Sequence, residues 1–366
     1  MKKNIILLIC FAILFSACEN SINKTTVEKY QTQLNKNLAE KLLNISQNPQ
    51  IKIQLSDFSC KANEDFIECI SPDFKILIKN NNHYEELFKV KNLHLQTNEI
   101  YKEQNNKLIN IKQYYEYFFN KQKNIQTKLS FENFQLGAKL IDDINAILWQ
   151  KDPKINSFIE KLTSDSYTLS FENQIKKREN DYLDNLKIIL NNTRFNLNIA
   201  LNINLKKDLL NYLESKGIQF NTQTLTMDQK AINEFFKANH LEKDNIQQYI
   251  VLNDFKINAK LQTQGIFSHL IKTSKENLQN LRMQSQYEEQ ALILDKILNI
   301  LNDISKDDEY KFYLDLKFKN IALSDYNLET INSIEKLSIN NQDLTELLKS
   351  VLPFLMFSTL FHDVQF

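Results

Sequence analysis

Glycine is nearly missing from this chain. Three glycines (Gly137, Gly217, Gly265) occur in 366 residues, beside four prolines and one tryptophan. Three scattered glycines exclude a dinucleotide-binding fingerprint, a Walker phosphate loop and a nucleophile elbow, each of which needs several at fixed spacing. Turns then fall to Asn and Asp, which tolerate left-handed backbone better than other non-glycine residues. An excess of charge is missing too: 45 Lys plus Arg balance 45 Asp plus Glu, with no basic run. A neutral chain has no electrostatic footprint for nucleic acid. The five histidines (His83, His94, His240, His269, His362) sit in no metal-ligand spacing, and His94 reads as a surface residue on a strand. Paired acids such as Asp142-Asp143 and Asp307-Asp308 read as helix-end or turn residues. Nothing supports catalysis or a cofactor.

What is present begins at Met1. Lys2 and Lys3 precede an uncharged apolar run from Ile5 to Leu14, followed by Leu14-Phe15-Ser16-Ala17-Cys18. The run is too short to span a bilayer, and its order is that of a secretory signal ending in a lipobox. Residues 1–17 are therefore expected to be removed, leaving Cys18 as the lipid-bearing N-terminus and residues 18–24 as a tether. Several acyl chains are needed for a stable anchor, because one alone binds reversibly. Glu19 rather than Asp after the cysteine resembles Gram-negative lipoproteins sent to the outer membrane.

Export sets the redox compartment. Beyond Cys18 the mature chain keeps Cys60 and Cys69. An even pair in an oxidising compartment predicts a disulfide, with two free buried thiols as the rival reading. Polar Lys61-Ala62-Asn63-Glu64-Asp65 between them reads as a hairpin tip, flanked by Ile51, Ile53 and Leu55 before and Phe66, Ile67 and Ile70 after. A bridge over so short a loop contributes about 2–3 kcal/mol by the chain-entropy model.

Strict apolar–polar alternation marks long strands with one wet face, most clearly over residues 195–205 and 312–318. Leu129-Ser130-Phe131-Glu132-Asn133 returns as Leu169-Ser170-Phe171-Glu172-Asn173, and looser copies occur elsewhere. In most copies the apolar phase slips by one residue at an Asn or Asp. A slip turns every later side chain to the wrong face unless a bulge or bend absorbs it. Bulges or bends are therefore expected near Asp57, Asn92, Asn133, Asp254 and Asn320, and less strongly at Asn173. Helical patterns run from Thr25 to Leu43, through Ile141, Ile144, Ile147, Leu148 and Trp149, after a Thr226-Met227-Asp228-Gln229 capping box, from Leu278 to Ile304, and from Leu344 to Phe361.

These patterns predict an α+β, β-rich fold, in which residues 25–366 form one elongated domain of long curved antiparallel strands with helices packed on one side. Partial cover would leave an apolar concavity, with Phe131, Phe134, Phe171, Phe195, Phe255, Phe312 and Phe318 available to line it. Such a surface marks binding of a protein, a membrane or an apolar ligand.

Cys18-Glu19-Asn20-Ser21-Ile22, Thr25-Thr26-Val27-Glu28-Lys29-Tyr30 and Leu34-Asn35 resemble the start of JlpA-type surface lipoprotein adhesins of enteric bacteria. Phe58-Ser59-Cys60 and Asp65-Phe66-Ile67-Glu68-Cys69-Ile70-Ser71-Pro72 share that resemblance. It implies an unclosed half-barrel with a concave apolar basin, displayed on the cell surface for attachment to a host-cell surface protein. Only Cys18 and the Cys60, Cys69 pair carry over. The bacterial glycosylation acceptor Asp/Glu-x-Asn-x-Ser/Thr is met nowhere; Asp143-Ile144-Asn145-Ala146-Ile147 fails at its last position. The alternative is an outer-membrane lipoprotein that binds or transfers lipid or another apolar ligand on the periplasmic side, or an envelope scaffold.

Overall fold

The computed structural model describes residues 24–347 apart from 47, 81–82, 99–107, 122–123, 149–152, 179–180, 222–225, 228–247, 263–267, 286–287, 305–308, 320–321 and 323–333. Alternation along the chain becomes a twelve-stranded antiparallel sheet in the order β1-β3-β4-β6-β7-β8-β9-β12-β13-β14-β15, with β2 also on β3. Its strands are β1 (Ile51–Leu55), β2 (Ser59–Asn63), β3 (Phe66–Asn80), β4 (His83–Thr97), β6 (Asn124–Leu136), β7 (Tyr167–Lys177), β8 (Asp181–Asn191), β9 (Phe195–Lys206), β12 (Ile250–Gln262), β13 (Glu309–Phe318), β14 (Ile334–Ile339) and β15 (Gln342–Asp343). Short β5 (Leu108–Asn110), β10 (Gln219–Asn221) and β11 (Thr226–Met227) form a second sheet. The large sheet is curved but not closed, giving the α+β half-barrel with helices on one side.

The phase slips are absorbed where Asn adopts left-handed backbone. Asn92 has φ 61° and Asn133 φ 49°. Phe88 and Val90 before Asn92, and Leu93 and Leu95 after it, consequently all join one core cluster. In β6, Leu129 and Phe131 join it before Asn133 and Phe134 after, where the register against β7 shifts between Phe131 and Phe134. Pro72 lies opposite Asn92, since Ser71 pairs with Leu93 and Asp73 with Lys91. Proline cannot donate to a ladder, and there the neighbouring strand breaks: Ser56, Asp57 and Phe58 separate β1 from β2. Ser71 Oγ donates to the Ser56 carbonyl at 2.6 Å. Asp57, Pro72, Asn92 and Asn133 thus form a crease across four neighbouring strands. A further shift falls between Leu252 and Asp254, beside the expected position.

Asn173 departs from the expectation. At Asn173 itself the pairing stays in register with Thr127 on one side and Leu186 on the other, and its amide instead bonds the Asp184 carboxylate. Asn320 lies outside the described residues. The two identical pentapeptides turn out to be neighbours, running antiparallel about a Ser130–Ser170 pair whose hydroxyls meet at 3.0 Å.

Helix α1 (Lys24–Ser46) lays Val27, Tyr30, Leu34 and Leu38, at three- and four-residue spacing, onto Ile67, Cys69, Leu93, Leu95, Leu129 and Phe131. It also seals the broken edge strand. The Asn35 side chain accepts from the Phe58 N–H at 2.8 Å and donates to its carbonyl at 3.0 Å, while Gln31 accepts from the Cys60 N–H at 2.7 Å. Cys60 and Cys69 pair directly across β2 and β3 and are disulfide-bonded, with Cα atoms 4.0 Å apart and Cys69 fully buried.

Other helices are α2 (Ile111–Lys121), α3 (Ala138–Leu148), α4 (Pro153–Ser164), α5 (Asp208–Ser215), α6 (Ser268–Gln284) and α7 (Glu288–Ile304). One reading needs correction, and one helix is new. Pro153 opens α4 at a position where its missing N–H costs nothing, and that helix was not foreseen. The stripe from Leu278 to Ile304 belongs to two helices, α6 and α7, joined by an ion pair of Arg282 with Asp295 (Nη2–Oδ2 2.8 Å). Thr226 and Met227 pair with Asn221 and Phe220 as β11, and the helix expected to follow them lies outside the described residues. Residues 228–247, Trp149, Asp307-Asp308 and the apolar segment beyond 347 lie outside the described residues.

One glycine is required by space. Leu87 bulges out of the β3–β4 ladder, and the Gly137 N–H donates to its carbonyl at 2.8 Å. A Cβ on Gly137 would stand 1.6 Å from the Glu86 carbonyl oxygen. Gly137→Ala is expected to cost more than about 3 kcal/mol, as a backbone clash that cannot relax. Gly217→Ala, at φ 71° with nothing within 4 Å, should cost about 1 kcal/mol. Urea unfolding midpoints compare the two; equal losses would contradict this account.

Candidate binding surface

Residues opposed in an antiparallel ladder share a face, so the registers trace continuous rows across the sheet. One row runs Cys60, Cys69, Leu95, Leu129, Phe171, Ile188, Ile199, Ile257, Leu314, Ile339. A parallel row runs Leu93, Phe131, Leu169, Leu190, Leu197, Ala259, Phe312. Both are apolar along their whole length. The foreseen aromatics Phe131, Phe171, Phe195, Phe255, Phe312 and Phe318 share this face, and Phe134 joins it after the bulge.

The opposite face is polar. Lys61 pairs with Glu68 at 3.5 Å, and Glu172 bridges Lys128 at 3.0 Å and Lys187 at 3.6 Å. Such half-exposed pairs hold register and contribute little energy. His94 sits here between Ile70 and Ser130. It is half-buried rather than on the surface, with a buried and unpartnered Nε2.

Burial changes along the apolar rows although the chemistry does not. In β6 every residue of this face from Ile125 to Phe131 is buried, and Leu129 and Phe131 lie in the cluster that α1 covers. In β9 the alternation is as strict, Leu197, Ile199, Leu201 and Ile203 against Asn196, Asn198, Asn202 and Asn204, yet every residue from Phe195 to Leu205 is half-exposed. Leu186, Leu190, Phe255, Ile257, Leu314 and Leu316 are also half-exposed, and Ile188 reaches 36%. Across β8, β9, β12 and β13 the apolar face is therefore incompletely covered. Its border near the start of β8 is made by α2, whose Phe119 ring lies 4.8 Å from that of Tyr182.

A single carboxylate interrupts the face. Asp184 pairs in register with Ile175 and Ile203. Asn173 Nδ2 donates to one of its oxygens at 2.7 Å. Burial pushes its carboxyl up to about 6, against the opposing effect of the Asn173 bond. No cluster of three or more metal-ligating side chains occurs among the described residues. Of the site residues, the structure brings Cys60 and Cys69 together; Cys18 lies outside the described residues. Sequence reading missed Asp184, whose only signal was an acid in a strand otherwise apolar at every second position.

A raised carboxyl favours folding while it is protonated, and that contribution disappears as pH rises through the folded-state value. Asp184→Asn should therefore match wild type near pH 4 and exceed it in stability at pH 8. The gain is bounded by about 3 kcal/mol, two pKa units at 1.36 kcal/mol each. Urea unfolding at both pH values tests this; a difference independent of pH would contradict it.

No described helix is long and apolar enough to cross a membrane. Comparison with curated proteins gives no match. A family model described as an adhesin from Campylobacter matches residues 20–364, nearly the whole chain. The family is one of cell-surface adhesins, and with that span matched on a curved, unclosed, one-sided apolar sheet, this chain belongs to the JlpA adhesin family.

Proposed function

We propose that this adhesin attaches to a protein on the host-cell surface through the incompletely covered apolar face of β8, β9, β12 and β13, without catalysis. In the same reading, residues 1–17 are a signal peptide, acyl chains on Cys18 anchor the chain in the outer membrane, and residues 25–366 act as one body outside the cell.

The observation that carries this reading is the half-exposure of every residue of β9 from Phe195 to Leu205 despite strict alternation. Apolar side chains left at the surface in a contiguous block are the usual mark of an interaction site. Four strands at about 4.8 Å spacing and six or seven residues at about 3.3 Å rise give a footprint of roughly 400 Å². That is about half of one partner's share of a standard protein interface, a fitting size for its apolar centre. The charge ladder on the other face is internally neutralised and offers a partner little.

Parity along β9 supplies the test. Ile199→Glu puts a charge on the apolar face; Asn198→Glu puts the same charge one residue away on the polar face. Retention of the purified chain on cultured epithelial cells should fall at least about 10-fold for the first, as loss of a desolvated contact implies, and stay at the wild-type level for the second. Equal retention of both variants would sink the proposal. Binding of extracted envelope lipid, with no retention on cells by any form, would favour the periplasmic ligand-carrier alternative instead.

A further inference from the structure

Asp184 is the one carboxylate that the registers place on the apolar face of β6, β7, β8, β9, β12 and β13. Around it on that face stand Ile175, Ile203, Tyr182 and Leu186. Only one carboxylate oxygen is engaged, by Asn173 at 2.7 Å. The other has no hydrogen bond and no ion pair with any described residue. Lys177 shares the face at the end of β7 but forms no ion pair with Asp184. Burial first, and the Glu116 carboxylate second, push the neighbouring Tyr182 hydroxyl up, so Glu116 adds a negative charge rather than a counter-charge near this end of the face.

An ion in apolar surroundings without a counter-charge is costly, and the cost is removed when a partner supplies one. No described residue gains from the charge, since Asn173 would bond a neutral amide at position 184 as well. A charge that no described residue pairs, at the border of a binding face, selects for a partner of opposite sign.

Resting on the face-binding reading above, we propose that Asp184 is the specificity anchor of this surface, accepting a hydrogen bond from a Lys or Arg that the host protein presents between apolar residues. Asn173 is the positioning residue that holds the carboxylate toward the face.

The test uses the full chain on epithelial cells at pH 7.4, with Ile199→Glu as reference. Asp184→Asn, which keeps shape and the Asn173 bond, should retain the chain about 10-fold less well, and Asp184→Lys should abolish retention. Wild-type retention of both Asp184 variants while Ile199→Glu fails would overturn the anchor and leave the face intact. Wild-type retention of all three would overturn both. A chemical probe needs no cell: by calorimetry, n-decylammonium should bind wild type about 10-fold more tightly than n-decanol, and the two should bind Asp184→Asn equally. Equal affinities for wild type, or binding of neither, would overturn the proposal. Circular dichroism confirms that each variant is folded.

Discussion

An apolar face that extends across most of a twelve-stranded sheet must be hidden from water, and the rest of this structure follows from how unevenly that is done. Helix α1 hides one end, where Val27, Tyr30, Leu34 and Leu38 press onto Ile67, Leu95 and Leu129. Helix α2 borders the face at Tyr182. Between them and the far edge, Leu186, Ile188, Leu197, Ile199 and Ile257 have the same side-chain chemistry without the same cover. Residue for residue the covered part yields stability, while the open part retains half-exposed apolar area.

Curvature supports that division. A chain with three glycines cannot bend its strands with glycine, so Asn92 and Asn133 take the left-handed backbone, and Pro72 breaks the ladder between them and the edge strand. The break leaves the Phe58 and Cys60 backbones without sheet partners on one side, and Asn35 and Gln31 of α1 supply the missing bonds. The Cys60–Cys69 bridge locks the same corner. Crease, helix and disulfide therefore form one unit, in which each removes a cost that another creates.

Much of this was legible in the residues. Period-two alternation marked β9 and β13, and phase slips located the bends at Asp57, Asn92 and Asn133, because a strand cannot change faces without extra backbone. The pattern at Asn173 looked the same, yet the slip there was not real: Asn173 faces inward to meet Asp184, which a one-strand reading cannot know. The division of residues 278–304 into α6 and α7 was hidden since a helix stripe looks continuous across a short break. Partial cover and an apolar concavity were foreseen, but where the face stays open was unreadable, as Leu129 and Ile199 sit in equally alternating strands and differ only in whether a distant helix returns to cover them. Asp184 was missed for a related reason, its apolar surroundings being assembled from β7, β8 and β9.

The most direct measurement of the central claim is site-specific photo-crosslinking from adjacent residues of β9. A photoreactive phenylalanine analogue at Ile199 looks out from the apolar face, and one at Ala200 from the polar face. With the protein bound to epithelial cells, the account predicts a discrete host-protein adduct from position 199 and none from position 200. Adducts from both positions alike, or from position 200 alone, would contradict it.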